Sequence, residues 1–150
     1  MKKIFCVIIM IFIINEITNA EDYEDDIEFI INTCIRFLGN PVPNRFEKID
    51  DTTYVLKATE SSSFNLKVED GIVKISDITI IGNRRYIRDF YIAFINYFRK
   101  NDWEYLIREE NGLNIFFKNE IYACVSQPIR RNDGKFNILI AFMNDMEHNL

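Results

Sequence analysis

What most restricts the possible folds of this chain is a series of patterns that occurs twice. An apolar stripe at helical spacing, Ile27, Ile30, Ile31, Cys34, Ile35 and Leu38, stops at Gly39-Asn40-Pro41. A second stripe, Phe90, Phe94, Ile95, Tyr97 and Phe98, stops at Asn101-Asp102. Each stripe is followed by an aromatic and a glutamate: Phe46-Glu47-Lys48-Ile49, then Trp103-Glu104-Tyr105-Leu106. An apolar triplet closed by lysine comes next, Tyr54-Val55-Leu56-Lys57 and then Ile115-Phe116-Phe117-Lys118. Each series ends at Asp-Gly, at 70–71 and 133–134, the pair that supplies the positive backbone angles of a type I′ hairpin turn. Matching features lie 57, 61 and 63 residues apart, so the register drifts. The expected fold is α+β: two successive helix-plus-antiparallel-meander (α-ββββ) units, about residues 21–82 and 83–150. Their helices, near Tyr23–Leu38 and Arg84–Lys100, pack on one face of antiparallel sheet. An unduplicated α+β domain yields a similar series, and the pattern leaves that reading open.

Strand signals fill in the sheet. Phe64, Leu66 and Val68 alternate with Asn65, Lys67 and Glu69, which marks a half-buried antiparallel strand. Val73 and Ile75 have one parity and Ile78 and Ile80 the other, which predicts a β-bulge near Ser76-Asp77. Phe136, Ile138, Ile140 and Phe142 line one face of the last strand, while Leu139 and Ala141 are apolar on the other. That strand is expected at the centre of the sheet, covered on both sides. A helix followed by four meandering strands resembles the cystatin-like plan in element order. Tandem units of this kind also resemble secreted inhibitor proteins that grip enzymes with a concave sheet. Both are likenesses of fold plan, and function does not travel with them.

The first 20 residues read as an export signal. Lys2 and Lys3 precede an apolar run from Ile4 to Ile14, and a polar stretch ends in Thr18-Asn19-Ala20. The run has 11 residues, against the roughly 20 that span a bilayer as a helix. Cleavage is expected after Ala20, with Glu21 as the mature start and an exported chain, periplasmic or extracellular. An uncleaved anchor and a buried core helix are the alternatives. The mature 21–150 chain is large enough for one domain with its own core. It holds 16 basic and 22 acidic residues, a formal charge of −6. That balance speaks against nucleic acid and against anionic lipid as partners. No stable membrane span is expected after signal cleavage. Six of the eight residues from Glu21 to Glu28 are acidic; they read as a solvated helix start, and no D-x-D-x-D-G loop accompanies them.

Catalytic and metal chemistry find few candidates. Cys6 leaves with the signal, so Cys34 and Cys124 remain. Export permits a disulfide between them, and two small buried thiols are the alternative. The single histidine, His148, is two residues from the C-terminus, where a catalytic base is poorly held. One histidine and two distant cysteines give no zinc set. Five glycines in 150 residues form neither a dinucleotide loop nor a P-loop. No catalytic residue, metal site or cofactor is therefore assigned.

One cluster stands out. Arg84, Arg85 and Arg88 crowd the first turn of the second predicted helix, where positive charge opposes the helix dipole. An anion or acidic partner would compensate it. Arg130 and Arg131, before the last turn, are candidates to extend the patch. The alternative is a solvated helix start paired with Asp77, Asp89 or the acidic N-terminus. The expected function is a small secreted or periplasmic binding protein without catalysis, whose partner is a protein or anionic ligand. An envelope structural or assembly protein is the second reading, which a flat apolar patch or a self-complementary edge strand favours. An enzyme built on Asp, Glu, Tyr and Arg is the third, which a deep Tyr-lined pocket with a buried carboxylate favours.

Overall fold

The computed structural model describes residues 23–108 and 112–145. The signal reading, cleavage after Ala20 and His148 fall outside them. Eleven elements follow in order: α1 (Tyr23–Phe37), β1 (Glu47–Lys48), β2 (Thr53–Thr59), β3 (Ser62–Glu69), β4 (Ile72–Gly82), α2 (Arg84–Lys100), β5 (Glu104–Arg108), β6 (Asn114–Lys118), β7 (Ile121–Val125), β8 (Ile129–Arg130) and β9 (Phe136–Asn144). All strands join one sheet in the order β1-β2-β3-β4-β9-β7-β6-β5, with β8 also on β9, and every described pairing is antiparallel. The fold is thus α+β. Among the described residues, no helix is long and apolar enough to cross a membrane.

Both helices form where the apolar spacing places them. α1 buries Ile27, Ile30, Ile31 and Cys34; α2 buries Ile87, Phe90, Phe94 and Phe98. Asn83 caps α2, its side chain accepting from the Tyr86 amide at 2.8 Å. At the far end Asp102 turns left-handed (φ 62°), and the Trp103 amide reaches back to the Phe98 carbonyl at 3.1 Å. Trp103 then packs edge-on to Phe98 at 4.9 Å, which makes this end a Schellman stop with its apolar contact. The two helices meet each other and lie over β4 and β9. Phe64, Leu66, Ile78, Ile80, Phe116, Ile138, Ile140 and Phe142 rise from the sheet into the same core.

Several local expectations shift. The bulge in β4 sits at Lys74, because Lys67 pairs with Ile75 and Val68 with Val73. Ser76 therefore takes an inward position between Val73 and Ile78, where the parity argument had assumed a break. Asp70 (φ 52°) and Gly71 (φ 76°) form the expected tight turn. At Asp133-Gly134 only Gly134 has positive φ, and the Arg131 amide bonds the Lys135 carbonyl across a wider turn. The second tight turn is Asn119-Glu120 (φ 50° and 64°), between Lys118 and its partner Ile121. The second half also carries a fifth strand. β7 and β8 both pair along the same edge of β9, and Ser126-Gln127-Pro128 interrupts them.

β9 is central, as expected, but the helices cover one of its faces. Leu139, on the other face, is 37% exposed. Ile75, Ile81, Ile115, Phe117, Tyr122, Cys124 and Met143 share that second face by strand alternation and are half-buried. Among the described elements, no helix lies on it.

Candidate functional site

Sheet register gathers the arginines. β4 ends at Gly82, two residues before Arg84, and Gly82 pairs with Phe136. Phe136 pairs in turn with Arg130. Neighbouring strands are about 4.8 Å apart, which puts the Arg130 backbone roughly 10 Å from the strand that feeds α2. Phe136 packs against the core on the helix side, and Arg130, its direct neighbour in the row, shares that face. Arg131 and Lys135 flank the adjoining turn. Five sequence-assigned arginines and one lysine thus occupy one end of the molecule. Gly82 lets the Tyr86 ring approach closely at this junction: a Cβ there would lie 2.6 Å from the ring, which would have to shift.

Some of this charge is used internally. Asp89 receives Arg88 at 3.3 Å and Arg85 at 3.9 Å, and Arg131 meets Asp133 at 3.4 Å. These pairs are substantially exposed, so each contributes little to stability. Arg84, Arg130 and Lys135 have no carboxylate partner among the described residues. Of the other anticipated partners, Glu24 is held by Lys100 at 3.1 Å, and Asp77 bonds Asn65 at 2.6 Å on the opposite sheet face. Tyr86, beneath the arginine turn, has its hydroxyl pKa pushed up to about 12 by burial, then by Tyr23 and Asp26. Its ring stacks on Phe90 at 5.9 Å.

Both cysteines are free thiols. Cys34 projects from α1 into the core, where burial drives its pKa strongly up and Ser76 lies within reach. Ser76 Oγ has no other partner among the described residues. Cys124 sits between Ala123 and Val125, both core-facing, and so points to the uncovered face. The sheet separates the two sulfurs, and the Cys34–Cys124 bridge is not formed.

A second feature was not anticipated. A cleft of about 300 Å³ lies between α2 and the β5–β6 edge, lined by Tyr91, Ile92, Ile95, Arg99, Tyr105 and Asn114, among others. Asn114 is 6% exposed and donates to the Tyr91 hydroxyl at 2.8 Å. The available signal was a flank of α2, with Ile92, Ile95 and Arg99 at helical spacing beside the core stripe. Among the described residues, no carboxylate lines this cleft. Asp77, whose carboxyl is raised by burial against opposing help from Asn65 and Lys67, belongs to the other sheet face. Among the described residues, no group of three His, Cys, Asp or Glu side chains is placed to hold a metal ion. No protein-family model, curated protein or solved structure matches this chain.

Proposed function

We propose that the chain is exported, loses residues 1–20, and acts in the periplasm or outside the cell as a small non-catalytic binding protein. Its partner is an acidic protein surface or anionic ligand received at the arginine end. One observation carries this reading: the Gly82–Phe136–Arg130 row brings Arg130 and Arg131 to the end where Arg84, Arg85 and Arg88 begin α2. Concentrated positive charge on a chain of net −6 is what an acidic partner would recognise. Arginine suits the task because its planar fork makes two charge-assisted bonds to a carboxylate or phosphate.

The test is affinity capture from the native envelope fraction with tagged protein and an Arg84→Glu/Arg130→Glu variant. A partner held by the first at low salt, released at high salt and missed by the variant supports the reading. Identical capture by both proteins would remove it. Export is checked separately: protein from the producing cell should begin at Glu21, and a chain starting at Met1 would overturn that part.

We also read the two halves as diverged copies of one α-ββββ unit. Glu47↔Val55 and Lys48↔Tyr54 on the first edge correspond to Glu104↔Phe117 and Tyr105↔Phe116 on the other. Phe37 meets Phe46 edge-on at 5.4 Å, as Phe98 meets Trp103 at 4.9 Å. β7 and β8 then stand for one strand broken before Pro128. Val55 and Phe117 are 62 residues apart, and so are Ile78 and Ile140, which are register partners where the halves join. An assembly role is the second reading, favoured by the β5 edge, which pairs with no strand other than β6 among the described residues.

A further inference from the structure

We propose that the sheet face opposite the helices is a self-association surface, on which two copies of this chain stack face to face about a twofold axis running along the strands between β7 and β9. One row of register partners crosses that face: Glu104 (β5), Phe117 (β6), Tyr122 (β7), Met143 (β9), Ile75 (β4) and Lys67 (β3). It has a carboxylate at one end, an ammonium at the other and four largely apolar side chains between them. Glu104 and Lys67 are exposed, and neither forms an ion pair among the described residues. Lys67 Nζ donates to Thr53 Oγ1 at 2.7 Å.

The two meanders use this face differently. Counted inward from its edge strand, the first meander has the row Glu47, Val55, Asn65 and Asp77. The second has Glu104, Phe117, Tyr122 and Met143. Asn65 and Asp77, hydrogen-bonded at 2.6 Å, thus stand where the other row carries Tyr122 and Met143. The sheet itself does not require apolar side chains at these places, and contiguous apolar surface of this kind marks an interaction site. The comparison uses strand register alone, so it depends neither on common descent of the halves nor on the arginine end.

The row names the occupant. A half-turn about an axis between Tyr122 and Met143 lays the row over itself in reverse. Glu104 then faces Lys67 of the partner subunit, Phe117 faces the partner's Ile75, and Tyr122 faces the partner's Met143. Opposite charges meet at both ends, and a thioether packs favourably against an aromatic ring. The receiving surface has the shape for this. Lys67, Val68, Glu69, Lys74, Ile75 and Met143 line a hollow of about 260 Å³. A cavity of roughly 150 Å³ is enough for a benzene ring. Phe117 and Tyr122, in ring contact at 4.8 Å, form the matching ridge. A second copy supplies ridge, hollow and both charges by symmetry. Residues 109–111 and 146–150 do not have this pattern: the first are Glu-Glu-Asn, and the second carry two apolar side chains, Met146 and Leu150. β6, β7, β9 and β4 together span about 19 Å across and about 17 Å along, roughly 300 Å² per copy. A standard stable interface buries about 800 Å² per partner, so this dimer is a weak, reversible one.

Sedimentation velocity tests it, on protein in the form that the producing cell accumulates. Wild type should be monomeric at about 1 μM and dimeric at about 100 μM. Glu104→Lys and Lys67→Glu should each weaken the dimer about tenfold, and the double exchange should restore it. Both sites are exposed, so circular dichroism should be unchanged in all three variants. Cys124 gives a second readout, because it lies on the same face beside this row while Cys34 is buried. Its alkylation, mapped by mass spectrometry, should be about tenfold slower at the higher protein concentration. A wild type still monomeric at about 100 μM, or a double exchange as dissociated as the single ones, would overturn the proposal. So would Cys124 alkylation at one rate at both concentrations, which is what cover by residues 146–150 of the same chain would give.

Discussion

Single residues carry very unequal weight in this molecule. Phe98 is fully buried, stacks on Phe116 at 4.8 Å and receives Trp103 at 4.9 Å, so it ties the end of α2 to the second half of the sheet. Phe98→Ala should cost about 3–5 kcal/mol in urea unfolding, because both burial and ring contacts are lost. Glu120 works in the other direction. It holds φ 64° in a tight turn, a conformation that costs a side-chain-bearing residue and not glycine. Glu120→Gly makes the turn Asn-Gly and should raise stability by about 0.5–1 kcal/mol by the same assay. Asp77 gives a pH signature. Burial is the largest influence on its carboxyl and raises the pKa, so the folded state binds its proton more tightly than the unfolded state does. Ionised Asp77 therefore costs stability at neutral pH, and the cost disappears as pH falls through the folded pKa. Asp77→Asn, which can still accept from Asn65, should melt higher than wild type near pH 7. The advantage should shrink toward about pH 3.

At the scale of elements, the helices were legible and the irregularities were not. Apolar spacing and stop signals placed α1 and α2 almost to the residue, because a buried stripe leaves a periodic trace in sequence. The β4 bulge was legible in existence, from the parity change between Ile75 and Ile78. Its position was not, because that depends on which strand residue takes the inward place, and Ser76 does so beside Cys34. The Asn119-Glu120 turn gave no signal, since glutamate is not a usual left-handed residue. For the site, the Arg84–Arg88 cluster was visible as charge placed against a helix dipole. Its union with Arg130 required the pairing of Phe136 with both neighbouring strands, which no local pattern encodes. The α2 start also allows an energetic separation. Asn83→Ala removes the cap on the Tyr86 amide and should cost about 1 kcal/mol in thermal or urea unfolding. Arg84→Ala relieves the dipole without breaking an ion pair among the described residues, and should raise stability by about 0.3–1 kcal/mol. A loss of stability on Arg84→Ala would make that arginine structural and weaken its assignment to a binding end.

The whole molecule is one sheet with two unlike faces and two unlike edges. One face carries both helices and the phenylalanine core; the other carries half-buried apolar side chains and Asp77, with no helix over them among the described elements. The short, charged β1 ends the sheet on one side and, among the described residues, the longer β5 ends it on the other. These features follow from a single joint, β4 against β9, which turns two meanders into one layer and sets the arginine end beside it. Amide hydrogen exchange tests that joint most directly. Ile78 and Ile140 sit at its middle, flanked by paired strands on both sides and covered by the helices, so their amides should exchange in the slowest class and at the same rate, through global unfolding. Exchange of β4 or β9 amides as fast as those of the β5 edge, or two halves that open independently, would contradict a single sheet and the binding end proposed upon it.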